Sequence, residues 1–222
     1  MRTELGRIAG IPIYLDMMFV LVLIVFGYGY FTSGNLQLMS VGLIIIAGLL
    51  VSILLHELGH ALTGLAFGTR TREIELTGLG GVARFATALP RSVFVRTLVY
   101  LAGPAVNLVL WKGLNELAHL AAGIDKIALA QALITLAGAN FWLMVFNLLP
   151  AYPLDGGHTL DAWLGAMFGS IWSTRIVAVL GLVVCAGIVY MAFPVNFWLL
   201  LLAFVLFQAN WAAFDSVGGW RR

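Results

Sequence analysis

At 62% hydrophobic and 10% charged over 222 residues, with a mean hydropathy of +1.01, the chain carries far less charge than the about 25% of an ordinary soluble domain. This composition excludes a soluble globular protein and describes an integral membrane protein. The net charge of +2 leaves no basic surface of the kind nucleic acid needs, and the single cysteine, Cys185 in an apolar segment, excludes a disulfide framework or a thiolate metal site.

Taken in order, residues 1–10 carry Arg2 and Arg7, and 8–15 is a short apolar piece broken by Gly10 and Pro12, which predicts a strand at the membrane surface. Basic residues ahead of an apolar stretch resemble a signal peptide. The stretch is long, however, and has no small-residue cleavage site, so 16–31 reads as a retained first span closing on Tyr28 and Tyr30. A polar turn at Ser33, Gly34 and Asn35 leads into a second span that runs to about Gly68 and contains His56-Glu57-Leu58-Gly59-His60.

On a helix, residues at i and i+4 stand one above the other on one face, so His56 and His60 can turn both imidazoles to one metal ion. Glu57, one position on from the first histidine, can hydrogen-bond a water on that metal without ligating it, which is the general-base position of a zinc hydrolase. The competing reading is a polar cluster merely satisfied inside a helix. Ionisable groups in hydrocarbon are costly and mark function, and this weighs against it.

Residues 69–92 change texture: Arg70, Arg72, Arg84 and Arg91 surround alternating Ile74-Glu75-Leu76 and the glycines Gly78, Gly80 and Gly81, which predicts a β-hairpin. A third span, 92–110, contains Gly103-Pro104 and Asn107, and 112–126 reads as a more polar connection, with room for a helical start. A fourth span, 128–149, ends in Asn147-Leu148-Leu149-Pro150. An irregular segment over 151–157 and an amphipathic stretch to about Ser173 follow, and spans at 174–193 and 197–214 complete six. The expected fold is therefore an all-α polytopic membrane protein of six transmembrane helices, with a small membrane-associated β-hairpin or sheet between helices 2 and 3. It forms a single core domain over 1–222.

Six crossings put both termini on one side. Arg2, Arg7, Arg70, Arg72, Arg84, Arg91, Arg96, Arg175, Arg221 and Arg222 fall there, against Lys112 and Lys126 opposite, so the positive-inside rule places both termini in the cytoplasm of a multi-pass cell-membrane protein. His60 then lies about eight residues, roughly 12 Å, from the cytoplasmic end of its helix.

A catalytic zinc takes three protein ligands and keeps a fourth position open. His119 and Asp125 belong to the outer connection and are excluded by this topology. Asp16 has the right depth but no accompanying break in the backbone, and Glu73 and Glu75 sit beside arginines that would pair with them. Asp155 is the best-placed carboxylate, because Pro150 and Pro153 stop a helix and Gly156-Gly157 frees the backbone to turn a side chain inward at depth.

The pairing of His56-Glu57-Leu58-Gly59-His60 with Asn147-Leu148-Leu149-Pro150 and Leu154-Asp155-Gly156-Gly157 resembles the site-2 protease family of intramembrane zinc metalloproteases, peptidase family M50. Gly103-Pro104-Ala105-Val106-Asn107 looks like the same family's Gly-Pro-x-x-Asn element. The resemblance implies one zinc ion per chain on His56, His60 and Asp155, with Glu57 activating its water. It also implies that the Asn147 amide binds the substrate backbone, stabilises an oxyanion, or only caps the broken helix. Implied partners are single-span membrane proteins such as membrane-bound transcription factors or anti-sigma factors, met in the lipid bilayer. The sequence departs from the family at His158, where many members carry arginine, and His158 reads as a simple interfacial residue. No appended PDZ or CBS domain is visible.

The alternative is a zinc-binding membrane regulator or scaffold without hydrolytic activity, which would have no need of Glu57. A metal transporter would spread its ligands along several spans, and a serine-type protease would set a serine in a Gly-rich elbow facing a histidine.

Overall fold

The computed structural model describes residues 2–78, 80–192 and 196–218; Phe193, Arg221 and Arg222, which entered the expected span and the charge count, lie outside the described residues. The chain divides into two compact units, Met1–Pro90 with Ala102–Met144, and Arg91–Leu101 with Val145–Arg222.

In the first unit, β1 (Arg2–Ile8) and β2 (Ile11–Asp16) form one antiparallel hairpin, and β3 (Thr71–Thr77) and β4 (Gly80–Phe85) form another. Parallel pairing of β2 with β3, Ile13 opposite Ile74 and Leu15 opposite Leu76, joins them into one sheet of order β1-β2-β3-β4. The expected hairpin is thus half of a four-stranded sheet, two strands of which precede the first helix. Alternation explains the sheet's buried face: Ile11 and Ile13, then Ile74 and Leu76, pack with Phe19 against Leu58 and Ala61, the turn of helix that carries the histidine motif. Glu73 and Glu75, as expected, are taken up by arginines, with Arg2 at 3.1 Å and Arg84 at 3.5 Å from Glu73 and Arg84 at 2.8 Å from Glu75.

The connection between β2 and β3 contains α1 (Met17–Phe31) and α2 (Leu36–Ala66). The Asp16 carboxylate accepts from the Met18 N–H at 2.7 Å and so caps α1, while the Asn35 side chain caps α2. In the same unit α2 packs on α4 (Ile127–Asn147) through Val41, Ile45, Ala132 and Leu136. α3 (Val93–Gly123) is continuous, which corrects the expectation of a polar connection over 112–126. Ala118 and Ala121 recur on one buried stripe, so the polar residues of this stretch form the outer face of a helix and only 124–126 remain as a link.

The second unit contains α5 (Asp155–Phe168), α6 (Ser170–Ala192) and α7 (Phe197–Ser216), with α5 on α6 and α6 on α7. The break after α5 falls at Gly169, whose φ of +82° favours glycine, so α6 starts several residues before the expected span.

Among the described residues, five helices, α2, α3, α4, α6 and α7, are long and apolar enough to cross a membrane. α1 has 15 residues, a rise of about 22 Å against a hydrocarbon thickness of about 30 Å, so six full-length spans are not reached.

Candidate active site

The three ionisable residues of the motif lie buried on one stretch of α2: His56 and His60 are each 6% exposed and Glu57 is 5%. The helical spacing brings the two Nε2 atoms to 3.1 Å, with the rings edge to face at 81°. Two nitrogens bound to one tetrahedral zinc at about 2.0–2.1 Å would lie about 3.3 Å apart, so the pair has the spacing that a shared zinc ion needs.

Space at these nitrogens is supplied by α3. A Cβ at Gly103 would fall against the Nε2 atoms of both His56 and His60, closer than real Cβ contacts come. Gly81 in β4 does the same for the base, since a Cβ there would overlap the Glu57 carboxylate. Both glycines serve close approach, because neither has a positive φ.

Which nitrogen of His56 carries its proton follows from a chain of hydrogen bonds through three helices. The backbone carbonyl of Leu136 can only accept, so the Asn140 Nδ2 that reaches it at 2.9 Å is a donor; the same nitrogen donates to Ser52 Oγ at 2.9 Å. Asn140 Oδ1 must then face Asn107, whose Nδ2 donates to it at 2.9 Å. That turns Asn107 Oδ1 to His56 Nδ1 at 2.5 Å, so Nδ1 carries the hydrogen and Nε2 keeps its lone pair for a metal. Asn107 and Asn140 are fully buried and Ser52 nearly so. Each would cost about 1–3 kcal/mol if left unpaired, which drives the chain to close. Asn107 stood out in the sequence as a polar residue in an apolar span. Asn140 and Ser52 were missed, and the only signal for them was their polarity among apolar neighbours.

Asp155 and Asn147 belong to the second unit. Asp155 is the first residue of α5 and is 9% exposed. Asn147 is the half-buried last residue of α4. Gly156 and Gly157 are helical, which corrects the expectation that they extend an irregular segment. A Cβ on Gly156 would overlap the backbone of Leu148 and Leu149, and one on Gly157 the backbone of Ala151, so they let α5 turn back tightly on the chain before it. His158 stacks on Tyr100 at 5.1 Å and meets Tyr152 edge-on at 5.4 Å. Burial, and then the charge of Asp161, push the Tyr152 phenol upward, so it stays a neutral donor.

The family model for peptidase family M50 matches residues 44–112 and 112–191. A zinc metalloprotease of Methanocaldococcus jannaschii is 34% identical over 188 residues, covering 80% of this chain and 50% of the relative, and a protein of Synechocystis sp. is 35% identical over 177 residues, covering 75% and 45%. The chain thus spans about half the length of these curated relatives. The solved site-2 protease from M. jannaschii superposes with a TM-score of 0.66 at 26% identity, covering 96% of this chain and 95% of that one. These relatives and the histidine pair imply zinc as the metal.

Proposed function

The chain belongs to peptidase family M50, and from that premise we propose that it is an intramembrane zinc endopeptidase that cleaves within or near the transmembrane segments of membrane-anchored proteins. The observation that carries this reading is the pair of Nε2 atoms at 3.1 Å, one with its tautomer set by Asn107, on the same buried helix as Glu57.

His56, His60 and Asp155 would hold the zinc, a three-ligand set that leaves one position open, and a carboxylate buried as deeply as that of Asp155 is stabilised by a cation. Zinc contributes Lewis acidity, which brings the proton of water within reach of a carboxylate at neutral pH and polarises the peptide carbonyl. Glu57 takes that proton on its carboxylate as water attacks the carbonyl carbon, and returns it to the departing amine nitrogen. The Asn147 amide would donate to the carbonyl oxygen as negative charge gathers there. β2 before α1 and β3 after α2 share one sheet, so the chain lies on one side of the membrane before α1 and after α2, and the arginine distribution supports the cytoplasmic side for it and for the termini. Membership of the family suggests membrane proteins as substrates, and the resemblance implies single-span ones, among them membrane-bound transcription factors or anti-sigma factors.

A helical substrate must unwind before its peptide bonds are accessible, and each backbone group left unpaired in lipid costs several kcal/mol. β3 cannot help, being paired on both sides, but β4 is the sheet's last strand and offers a free edge for an added strand. Alternate residues of an edge strand point their N–H outward, so one of Val82→Pro and Ala83→Pro removes an outward donor. That variant should keep its zinc and cleave roughly tenfold more slowly. If both cleave at the wild-type rate, the edge has no part in substrate binding.

The direct test strips purified protein with a chelator, reloads it with zinc and follows cleavage of a single-span model protein in liposomes. Activity should vanish and return with about one zinc per chain. A protein that binds zinc fully but cleaves no transmembrane substrate would be a regulator or scaffold instead.

A further inference from the structure

Between α4 and α5 the backbone leaves helical structure just ahead of Asp155, in a chain where unpaired backbone is expensive. The described backbone bonds of this segment are mostly local turns, such as Ala151 N–H to Leu149 O and Leu154 N–H to Ala151 O, both 2.9 Å. Tyr152 has a different kind of partner. Its N–H donates to Asn210 Oδ1 at 3.0 Å, and its carbonyl accepts from Asn210 Nδ2 at 2.8 Å. The remaining N–H of that amide donates to Leu206 O at 2.7 Å.

Asn210 is fully buried on α7, 58 residues from Tyr152 in sequence. Its side-chain amide meets Tyr152 as the backbone of a neighbouring strand would, one acceptor and one donor on the same residue, with its second donor anchored to its own helix. Room for this amide comes from Gly181 on α6, where a Cβ would occupy the position of the amide itself. Three elements of one unit therefore meet at one side chain three residues before Asp155.

We propose that Asn210 is a positioning residue: its clasp on the Tyr152 backbone, admitted by Gly181, fixes where the segment delivers the Asp155 carboxylate. This rests on Asp155 being a metal ligand. An apolar side chain in place of Asn210 leaves both the N–H and the carbonyl of Tyr152 without partners, and the segment shifts to find others. Alanine at Gly181 displaces the same amide from the other side and has the same consequence.

The test uses the full chain in detergent, with zinc affinity measured by competition against a chromophoric chelator and ligand geometry read from the visible spectrum of the cobalt-substituted protein. The variants are Asn210→Leu and Gly181→Ala, with Asp155→Ala as reference. Gly187→Ala serves as control, at a position on α6 where a Cβ meets nothing within 4 Å. Asn210→Leu and Gly181→Ala should each weaken zinc binding by on the order of 10–100-fold and change the cobalt spectrum, while Gly187→Ala does neither. Should Asn210→Leu fail to fold, Gly181→Ala decides. The clasp is merely structural if both variants lose thermal stability but keep wild-type affinity and spectrum while Asp155→Ala weakens binding. If Asp155→Ala itself binds zinc as tightly as wild type, the ligand assignment fails and the positioning role with it.

Discussion

Glu57→Gln is expected to hold about one zinc per chain and to lose cleavage by on the order of 10²–10⁴-fold, the range that a positioned acid–base group contributes. The substitution suits the site. Glutamine keeps the volume of glutamate under Gly81, where nothing larger than hydrogen fits, and replaces a proton acceptor by an amide that cannot take a proton. The side chain is 5% exposed, so bulk water is poorly placed to replace the base. Metal analysis and initial rates on one preparation separate the outcomes. Cleavage within tenfold of wild type would remove Glu57 from the proton transfer, and loss of zinc together with activity would make it a ligand or a support of the ligands.

Gly103→Ala is expected to cost zinc binding far more than it costs the fold. Alanine is favoured over glycine inside a helix by roughly 0.5–1 kcal/mol, so α3 itself gains. Against that, the added methyl falls on the Nε2 atoms of both histidines, the positions from which a metal would be held. His56 cannot swing aside freely, because its Nδ1 is tied to Asn107 and through Asn107 to Asn140 and α4. The overlap with two buried rings outweighs that gain, so we expect the metal-free protein to lose about 1–3 kcal/mol of stability while still folding, and zinc affinity to fall by two orders of magnitude or more, on the order of losing one ligand. Calorimetry of the stripped protein and chelator competition test the two halves separately. Full zinc binding by Gly103→Ala would show that the histidines coordinate from a different rotamer.

Several functional elements were legible from sequence because the chemistry there depends on local spacing. The i, i+4 relation of His56 and His60 fixes a common helix face whatever the rest of the chain does, and the glutamates of the hairpin were readable as partners of nearby arginines. The strand expected over 8–15 is present over 11–16, but the strand over 2–8 before it was not foreseen, nor was the parallel pairing with 71–77, since that register depends on a crossover through two helices. Continuous α3 was misread as a span plus a polar link because polarity was counted without its period.

By itself the sequence determined the membrane class, the metal-binding helix face and the hairpin, which follow from composition or from residues within a few positions of one another, and the family, which follows from short motifs paired about ninety residues apart. Only the tertiary structure decided which nitrogen of His56 carries its hydrogen, why Gly81 and Gly103 cannot be larger, and how Asn210 holds the chain before Asp155. Those depend on side chains meeting across helices far apart in sequence, where a single buried hydrogen bond or a missing methyl group selects one arrangement, and no local pattern encodes such a meeting.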